Sequence, residues 1–290
     1  MILLLGGSGY VGTAFGRYFD TRSIDYRSVA RAEVDYTQRD NLIRLIQQSN
    51  ATFLINAAGY TGKPNVDACE LHKSECLSGN AVLPGTIREA CEVVGIQWGH
   101  VSSGCIYTGT RPDGSGFTEA DPPNFSFRTN NCSFYSGCKA LGEECLAGCD
   151  SAYIWRLRIP FDHLDSGRNY LSKLMRYQRL LDATNSITQL DEFARACWQT
   201  WERRVPFGIY NVTNTGAVTA REVVEHLKRQ LGIEKQFEFF SSEDQFMSMA
   251  AKTPRSNCVL DNSKLRATGI AISEVHEAIE RSLKSWVSSQ

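Results

Sequence analysis

Apolar and polar positions divide the chain into two rhythms. Up to about residue 160, short apolar runs alternate with longer stretches whose apolar residues recur at helical spacing. Ile2 to Leu5, Ile24 to Val29, Thr52 to Asn56, Ile96 to Val101 and Tyr153 to Leu157 read as strands. An all-apolar run such as Ile2 to Leu5 suits a central strand of a parallel sheet, which is buried on both faces. Helices are predicted after Gly12 to about Phe19, over Arg39 to Gln48, Val66 to about Leu77, Asn80 to Val94, and Phe134 to about Leu146. Such alternation means a doubly wound parallel sheet, so the fold class is α/β and Rossmann-like.

After Pro160 the rhythm changes. Arg168 to Leu181 has Leu171, Leu174, Met175 and Tyr177 at roughly helical spacing, and Asp191 to Trp201 is also helical. Gly208 to Val212 reads as a strand, and Thr219 opens a helix to Leu231 with Glu222 completing a capping box. Asn257 to Asp261 and a closing helix, Ser273 to Val287, finish the chain. The expected organisation is a Rossmann domain over residues 1–160. Residues 161–290 form mainly a smaller lobe for substrate, interleaved with the core. Gly109 to Asn131, rich in Gly, Pro, Asp and Asn, is a long loop, and loops of that length in a compact domain tend to be functional.

Composition narrows the classes. The net charge of the 290 residues is −1, which gives no footprint for nucleic acid or for an anionic membrane. The 42% apolar content is that of an ordinary packed protein, and no apolar run is long enough to span a bilayer. Ten cysteines occur without a C-x-x-C pair, so no zinc or thioredoxin-like motif stands out. They read as reduced core thiols of a cytoplasmic protein. Met1 to Leu5 lacks a basic leading segment and runs into glycines, as a first strand does.

Two stretches carry candidate chemistry. Gly6-x-x-Gly9-x-x-Gly12 stands between a strand and a helix, where glycines permit a tight turn and the helix N-terminus faces a pyrophosphate. The alternative is a loop that only packs helix on strand. Near the tip of the second strand stands Arg31 without an adjacent acid, which favours the 2′-phosphate of NADP over NAD, unless Arg31 is a solvated loop charge. Asp35 is placed to meet the adenine or to cap the following helix. Asn56-Ala57-Ala58-Gly59 offers small residues on which a flat cofactor can lie, and Asn80 reads as a helix N-cap. The second stretch is Val101 to Tyr107. Ser103 and Cys105, two residues apart at a strand end, point into one cleft. Tyr135 and Lys139, four apart, share a helix face, where an ammonium favours the tyrosinate. A hydroxyl, a tunable phenol and a lysine are what carbonyl reduction requires.

Together the glycine motif, Asn56 to Gly59, Ser103, Tyr135-x-x-x-Lys139 and Pro160 resemble the extended short-chain dehydrogenases/reductases over essentially the whole chain. Ala58 to Asp67, Ser103 to Tyr107, Gly167 to Lys173 and Pro254 to Asn257 further resemble the epimerase/reductases of nucleotide-rhamnose synthesis, with the 4-keto-rhamnose reductases more distant. That resemblance implies inversion of C3 and C5 of a nucleotide-linked 4-keto-6-deoxyglucose, then reduction of C4 by NADP(H), with NAD(H) a weaker substitute. It assigns Ser103, Tyr135 and Lys139 to reduction, and Cys105 and Lys173 to proton exchange. It puts the cofactor on Gly6, Ser8, Gly9, Tyr10, Val11, Gly12, Arg31, Asp35, Ala57, Ala58, Gly59, Tyr135, Lys139 and Pro160. It puts the substrate on Thr61, Lys63, Asn80, Ser103, Asn169 and Arg255. It further implies a homodimer and no metal. This sequence departs from the family with Ser103 in place of threonine, and with Cys138 inside the Tyr-Lys motif, where its thiol is expected only to pack. A pure reductase, a pure epimerase or an NADP-binding regulatory subunit are the other readings of the same fold.

Overall fold

The computed structural model describes residues 1–63 and 65–288; Pro64, within the loop motif, lies outside the described residues. The first strand is β1 (Ile2–Leu5), followed by α1 (Tyr10–Arg22), β2 (Tyr26–Val29), α2 (Arg39–Ser49) and β3 (Phe53–Asn56). Next come α3 (Lys73–Leu77), α4 (Leu83–Val94), β4 (Gln97–Ser103), α5 (Phe134–Cys145) and β5 (Ala152–Leu157). Side chains in β1 alternate between two cores, as the pleat requires. Ile2 and Leu4 pack with Phe15 and Phe19 on one face, whereas Leu3 and Leu5 pack with Leu42, Leu45 and Ile87 on the other.

The rest of the chain comprises β6 (Pro160–Phe161), α6 (Tyr170–Arg176), β7 (Arg179–Leu180), β8 (Thr184–Asn185), β9 (Thr188–Gln189), α7 (Leu190–Glu202) and β10 (Gly208–Asn211). Then follow β11 (Val218–Thr219), α8 (Ala220–Leu231), β12 (Glu238–Phe239), α9 (Glu243–Met249), α10 (Ser263–Ala267) and α11 (Val275–Lys284). Strands β10 and β5 pair in parallel, so the main sheet runs β10-β5-β4-β3-β1-β2. The sheet is doubly wound and Rossmann-like. Winding reverses after β2, which opens a crevice beyond the carboxyl ends of β1 and β3. Helix α7 packs on the main sheet through Phe193 and Trp198, while α6, α8 and α11 enclose a separate core around Leu171, Val223, Leu227 and Ile279. No helix among the described residues is long and apolar enough to cross a membrane.

Several local expectations need correction. Val66–Glu70 is a 3-10 turn, and only Lys73–Leu77 continues as α-helix. Asn80 opens no helix: α3 passes into α4 through a π-turn at Ser78–Val82, and the residue lies inside it. The expected helix from Arg168 to Leu181 shrinks to α6, because Asn169 caps it and Tyr177 turns extended. Leu180 then pairs in β7 with β12 and reaches the lobe core, a tertiary contact that overrides helical spacing. Asp35 does not cap α2. Its carboxylate accepts from the Thr37 hydroxyl and N–H, at 2.5 and 3.2 Å, which holds it below its usual range. The capping box of Thr219 and Glu222 is present.

Packing across the sheet leads to one prediction. A Cβ on Gly99 would stand 1.9 Å from the ring of Trp155, which is fully buried beside Phe15, Phe53 and Tyr153. Gly99→Ala should therefore lower stability by about 1–3 kcal/mol, the usual cost of overpacking. Urea unfolding measures this, and an unchanged midpoint would contradict the packing of Trp155 against β4.

Candidate active site

The crevice between β1 and β3 is lined by backbone. Gly6 has φ +74°, and a Cβ there would come within 2.5 Å of the Ala58 nitrogen. A Cβ on Gly12 would stand 2.1 Å from the Gly6 carbonyl oxygen. Only glycine lets the two loops and the start of α1 approach this closely. Gly9 caps α1, whose first turn, with Tyr10 and Val11, carries no acidic residue, and Ser8 is exposed beside it. Asn56 fixes the facing loop: its Oδ1 accepts from the Ala58 N–H at 3.0 Å, and its Nδ2 lies 3.0 Å from His100 Nδ1. Burial lowers the His100 pKa, so the neutral ring accepts this bond. Arg31 is exposed just past β2. The bare turn, the free helix N-terminus and an exposed cation at its edge fit a dinucleotide with an extra phosphate.

Further along the sheet edge, Ser103 is a hub. Its Oγ accepts the Cys105 N–H at 3.2 Å, and the Tyr135 phenol and the Cys105 thiol both lie near enough for this hydroxyl to lower their pKa values against burial. Ser136, whose hydroxyl accepts from Ser133 at 3.0 Å, also acts to lower the thiol's pKa. Burial pushes Tyr135 well above the usual phenol range and raises Cys105. Lys139 is buried and donates to the Val101 carbonyl at 3.2 Å; burial lowers its pKa. This corrects the expectation that Lys139 favours a tyrosinate: after burial the main influences on Tyr135 are thiols, and the phenol stays protonated. Cys138 packs with Cys69 and Cys76 in a small buried cluster of free thiols.

Beneath Ser103 and Lys139 lies a buried ion pair that sequence reasoning missed. Arg156, on β5, donates to both Glu143 oxygens, with Nη2 to Oε2 at 2.6 Å. Ser102 donates to Glu143 at 2.5 Å, and Arg156 Nη1 donates to the Tyr107 hydroxyl at 3.0 Å. That hydroxyl donates to the Asp121 carbonyl at 2.6 Å, which reaches into the long loop. The available signal was spacing, since Glu143 follows Lys139 by one helical turn.

The residues expected at the substrate are differently employed. Asn80 is buried and clamps Tyr60, accepting its N–H at 3.2 Å and donating to its carbonyl at 2.7 Å. Asn169 is also buried; its Oδ1 accepts the Leu171 N–H and its Nδ2 donates to the Asp162 and Leu164 carbonyls, so it is spent on backbone. Arg255 forms a two-point pair with Asp67, at 2.7 and 2.8 Å. Thr61 accepts from Arg168 at 3.0 Å, and Arg168 also donates to the Gly62 carbonyl at 2.7 Å; Lys63 is exposed. Lys173 on α6 is half-buried, and its pKa is lowered by burial and then by the Arg168 charge. Pro160 opens β6.

Comparison with known proteins adds a lineage. Residues 1–288 match the family model described as the RmlD substrate binding domain. The chain is 33% identical over 282 residues to an Arabidopsis thaliana bifunctional dTDP-4-dehydrorhamnose 3,5-epimerase/dTDP-4-dehydrorhamnose reductase, covering 96% of this chain and 90% of that one. It is 35% identical over 270 residues to an Arabidopsis trifunctional UDP-glucose 4,6-dehydratase/UDP-4-keto-6-deoxy-D-glucose 3,5-epimerase/UDP-4-keto-L-rhamnose-reductase. That match covers 91% of this chain but only 39% of the relative's length. Two solved structures share the fold. The UDP-rhamnose synthase of Acanthamoeba polyphaga mimivirus has TM-score 0.89 at 22% identity, over 98% of both chains. A dTDP-4-dehydrorhamnose reductase of Bacillus anthracis in complex with NADP has TM-score 0.82 at 19% identity, over 97% of both chains.

The buried pair sets a stability test. Glu143→Gln leaves Arg156 buried without its counter-charge and should cost about 3–5 kcal/mol. Glu144→Gln, which breaks the exposed pair with Arg128, should cost no more than about 1 kcal/mol. Urea midpoints for the two variants that coincide would mean that Glu143 and Arg156 are not an isolated buried pair.

Proposed function

We propose that this chain, which belongs to the RmlD substrate binding domain family, is an NADPH-dependent reductase of a nucleotide-linked 4-keto-6-deoxy sugar that also inverts C3 and C5 in the same cleft. The observation that carries the reading is the Ser103 hydroxyl, which accepts the Cys105 N–H at 3.2 Å and lies near enough to both the Tyr135 phenol and the Cys105 thiol to act on their protons. A cofactor bound over the Gly6–Gly12 turn supplies hydride. The chain's residues supply the rest. The turn and the N-terminus of α1 hold the diphosphate, Arg31 faces the 2′-phosphate, and Ala57 and Ala58 give a flat wall. Ser103 orients the C4 oxygen, and Tyr135 donates the proton that this oxygen takes. The burial that raises the phenol's pKa keeps that proton in place until it is needed. Lys139, anchored to the Val101 carbonyl, steadies the ribose side of the cleft.

Inversion uses a second pair. Hydrogens on C3 and C5 are acidic because each carbon flanks the C4 ketone. One group removes a proton from one face, and another delivers a proton to the opposite face. Burial raises the Cys105 thiol and lowers the Lys173 ammonium, which moves one towards a held proton and the other towards a free amine. The polar atoms of Asn80, Asn169 and Arg255 are engaged by the protein, so we assign these residues to shaping the substrate side of the cleft. Free thiols at all ten cysteines support a cytoplasmic setting, and exposed Leu77, Val82 and Val93 support a homodimer through this helical surface.

Two expected outcomes test the halves separately. Tyr135→Phe keeps the ring but loses the proton donor, so NADPH oxidation with a pre-epimerised 4-keto-rhamnose nucleotide should fall by about two to four orders of magnitude. Normal turnover in that variant would place the acid elsewhere. In deuterated water the wild type should place deuterium at C3 and C5. Cys105→Ser and Lys173→Met should each lose inversion yet still reduce the pre-epimerised sugar, because serine is far too weak an acid to replace the thiol. Wild-type inversion by Cys105→Ser would leave the chain a reductase alone.

A further inference from the structure

Arg158 sits at the end of β5, two residues beyond Arg156, and is buried at 7% exposure. Arg156 lies within β5 and Arg158 just past its last residue, and the two meet different partners. Arg156 is matched by the Glu143 carboxylate, whereas among the described residues Arg158 Nη2 donates only to neutral oxygens, the Asn185 amide at 2.7 Å and the Ser256 carbonyl. Its Nε is buried with no hydrogen-bond partner among the described residues. A guanidinium placed this way is expensive unless an anion joins it. Its stem identifies the neighbour: Cδ lies 3.4 Å from where a Cβ on Gly104 would stand, against the residue before Cys105. The backbone that delivers it is constrained, since the next residue, Ile159, is β-branched and has φ +38°.

We propose that Arg158 is the counter-charge of the Cys105 thiolate. This rests on the epimerase reading above, in which that anion is unavoidable. If the thiolate takes a sugar proton, the S–H bond forms as the C–H bond breaks, and the carbon's electron pair passes into an enolate ending on the C4 oxygen. If instead the thiol donates, its S–H electrons stay on sulfur. Either way each inversion includes a thiolate inside a buried site. The groups facing it are Ser103, Ser136, Tyr135 and Lys139 on β4 and α5, Cys69 and Cys132 nearby, and Cys258, whose thiol donates to the Gly104 carbonyl at 3.3 Å. Arg158 and Lys139 are the cations that lower Cys105 against its burial, with Arg158 the stronger, and Lys139 already donates to Val101. Arg158 also acts on Tyr170, but a phenol ionises less readily than a thiol. Arg158 is thus a positioning residue that acts through Cys105.

The test is the pH dependence of iodoacetamide alkylation at Cys105, followed by peptide mass spectrometry on the full chain without substrate. Arg158→Gln keeps an amide for Asn185 and Ser256 but removes the charge. Its alkylation midpoint should rise by about one pH unit, so that Cys105 reacts about tenfold more slowly near neutrality. Arg158→Lys keeps the charge and should retain the wild-type midpoint. An unshifted midpoint in Arg158→Gln, or equal shifts in both variants, overturns the proposal. If Arg158→Gln does not fold, Arg158→Lys decides: a midpoint a unit above wild type overturns it, and a wild-type midpoint supports it. Deuterium incorporation by the wild type separates the two readings. Absence of exchange together with a shifted Arg158→Gln midpoint ends the epimerase assignment and leaves the counter-charge standing.

Discussion

The Glu143–Arg156 pair is the constraint on which the site depends. A carboxylate and a guanidinium are both removed from water here, and neither is tolerable alone. Their mutual bonds, with Ser102 and Tyr107 filling the remaining positions, tie α5 to β4, to β5 and to the start of the long loop. Tyr135 and Lys139 ride on α5, and Ser103 follows Ser102 directly. The rotation of α5 and the end of β4 are therefore set by the same carboxylate. A hydrophobic filling of equal volume has no directional preference and would leave that rotation to packing alone.

The same burial that makes the pair costly tunes the groups above it. Tyr135, Cys105 and Lys139 all lie where charge is disfavoured, so the phenol and thiol hold their protons and the amine sheds its own more readily. His100 is kept neutral in the same way and serves as an acceptor for Asn56. One physical cause thus shapes the reducing groups and the wall of the crevice together. Arg158 stands apart, a cation kept in this environment with neutral oxygens for company.

Cross-links between the early and late parts of the chain close the cleft. Asp67 binds Arg255, Arg168 holds Thr61 and Gly62, and Glu70 accepts from Thr253 while also capping the N–H of Phe134 at the start of α5. The long loop is pinned likewise, by bridges from Gly109 to Cys258 and from Phe117 to Leu260. The loop after β3 is thereby coupled to the helix that carries Tyr135.

By itself the sequence determined the alternating architecture, because all-apolar strands and amphipathic helices write their periods locally: β1, β3 and β5 lie within two residues of their expected limits. The glycine turn was legible for the same reason, since only residues without a Cβ permit the contact of Gly6 with Ala58. Strand alternation predicts that Ser103 and Cys105 share a face, but β4 ends at Ser103 and Cys105 lies in a 3-10 turn, Gly104–Ile106, whose N-cap is Ser103 itself. Only the tertiary structure decided that Asn80 sits in a π-turn clamping Tyr60, that α6 stops at Arg176, and that Asn169 and Arg255 already have partners. It also decided that Glu143 meets Arg156 while Arg158 meets no such carboxylate among the described residues. The reason is distance along the chain. Local patterns record which face of an element is apolar, but the partner of a buried polar group sits on another element, 13 residues away for Glu143 and Arg156 and 188 for Asp67 and Arg255, and no local period carries that information.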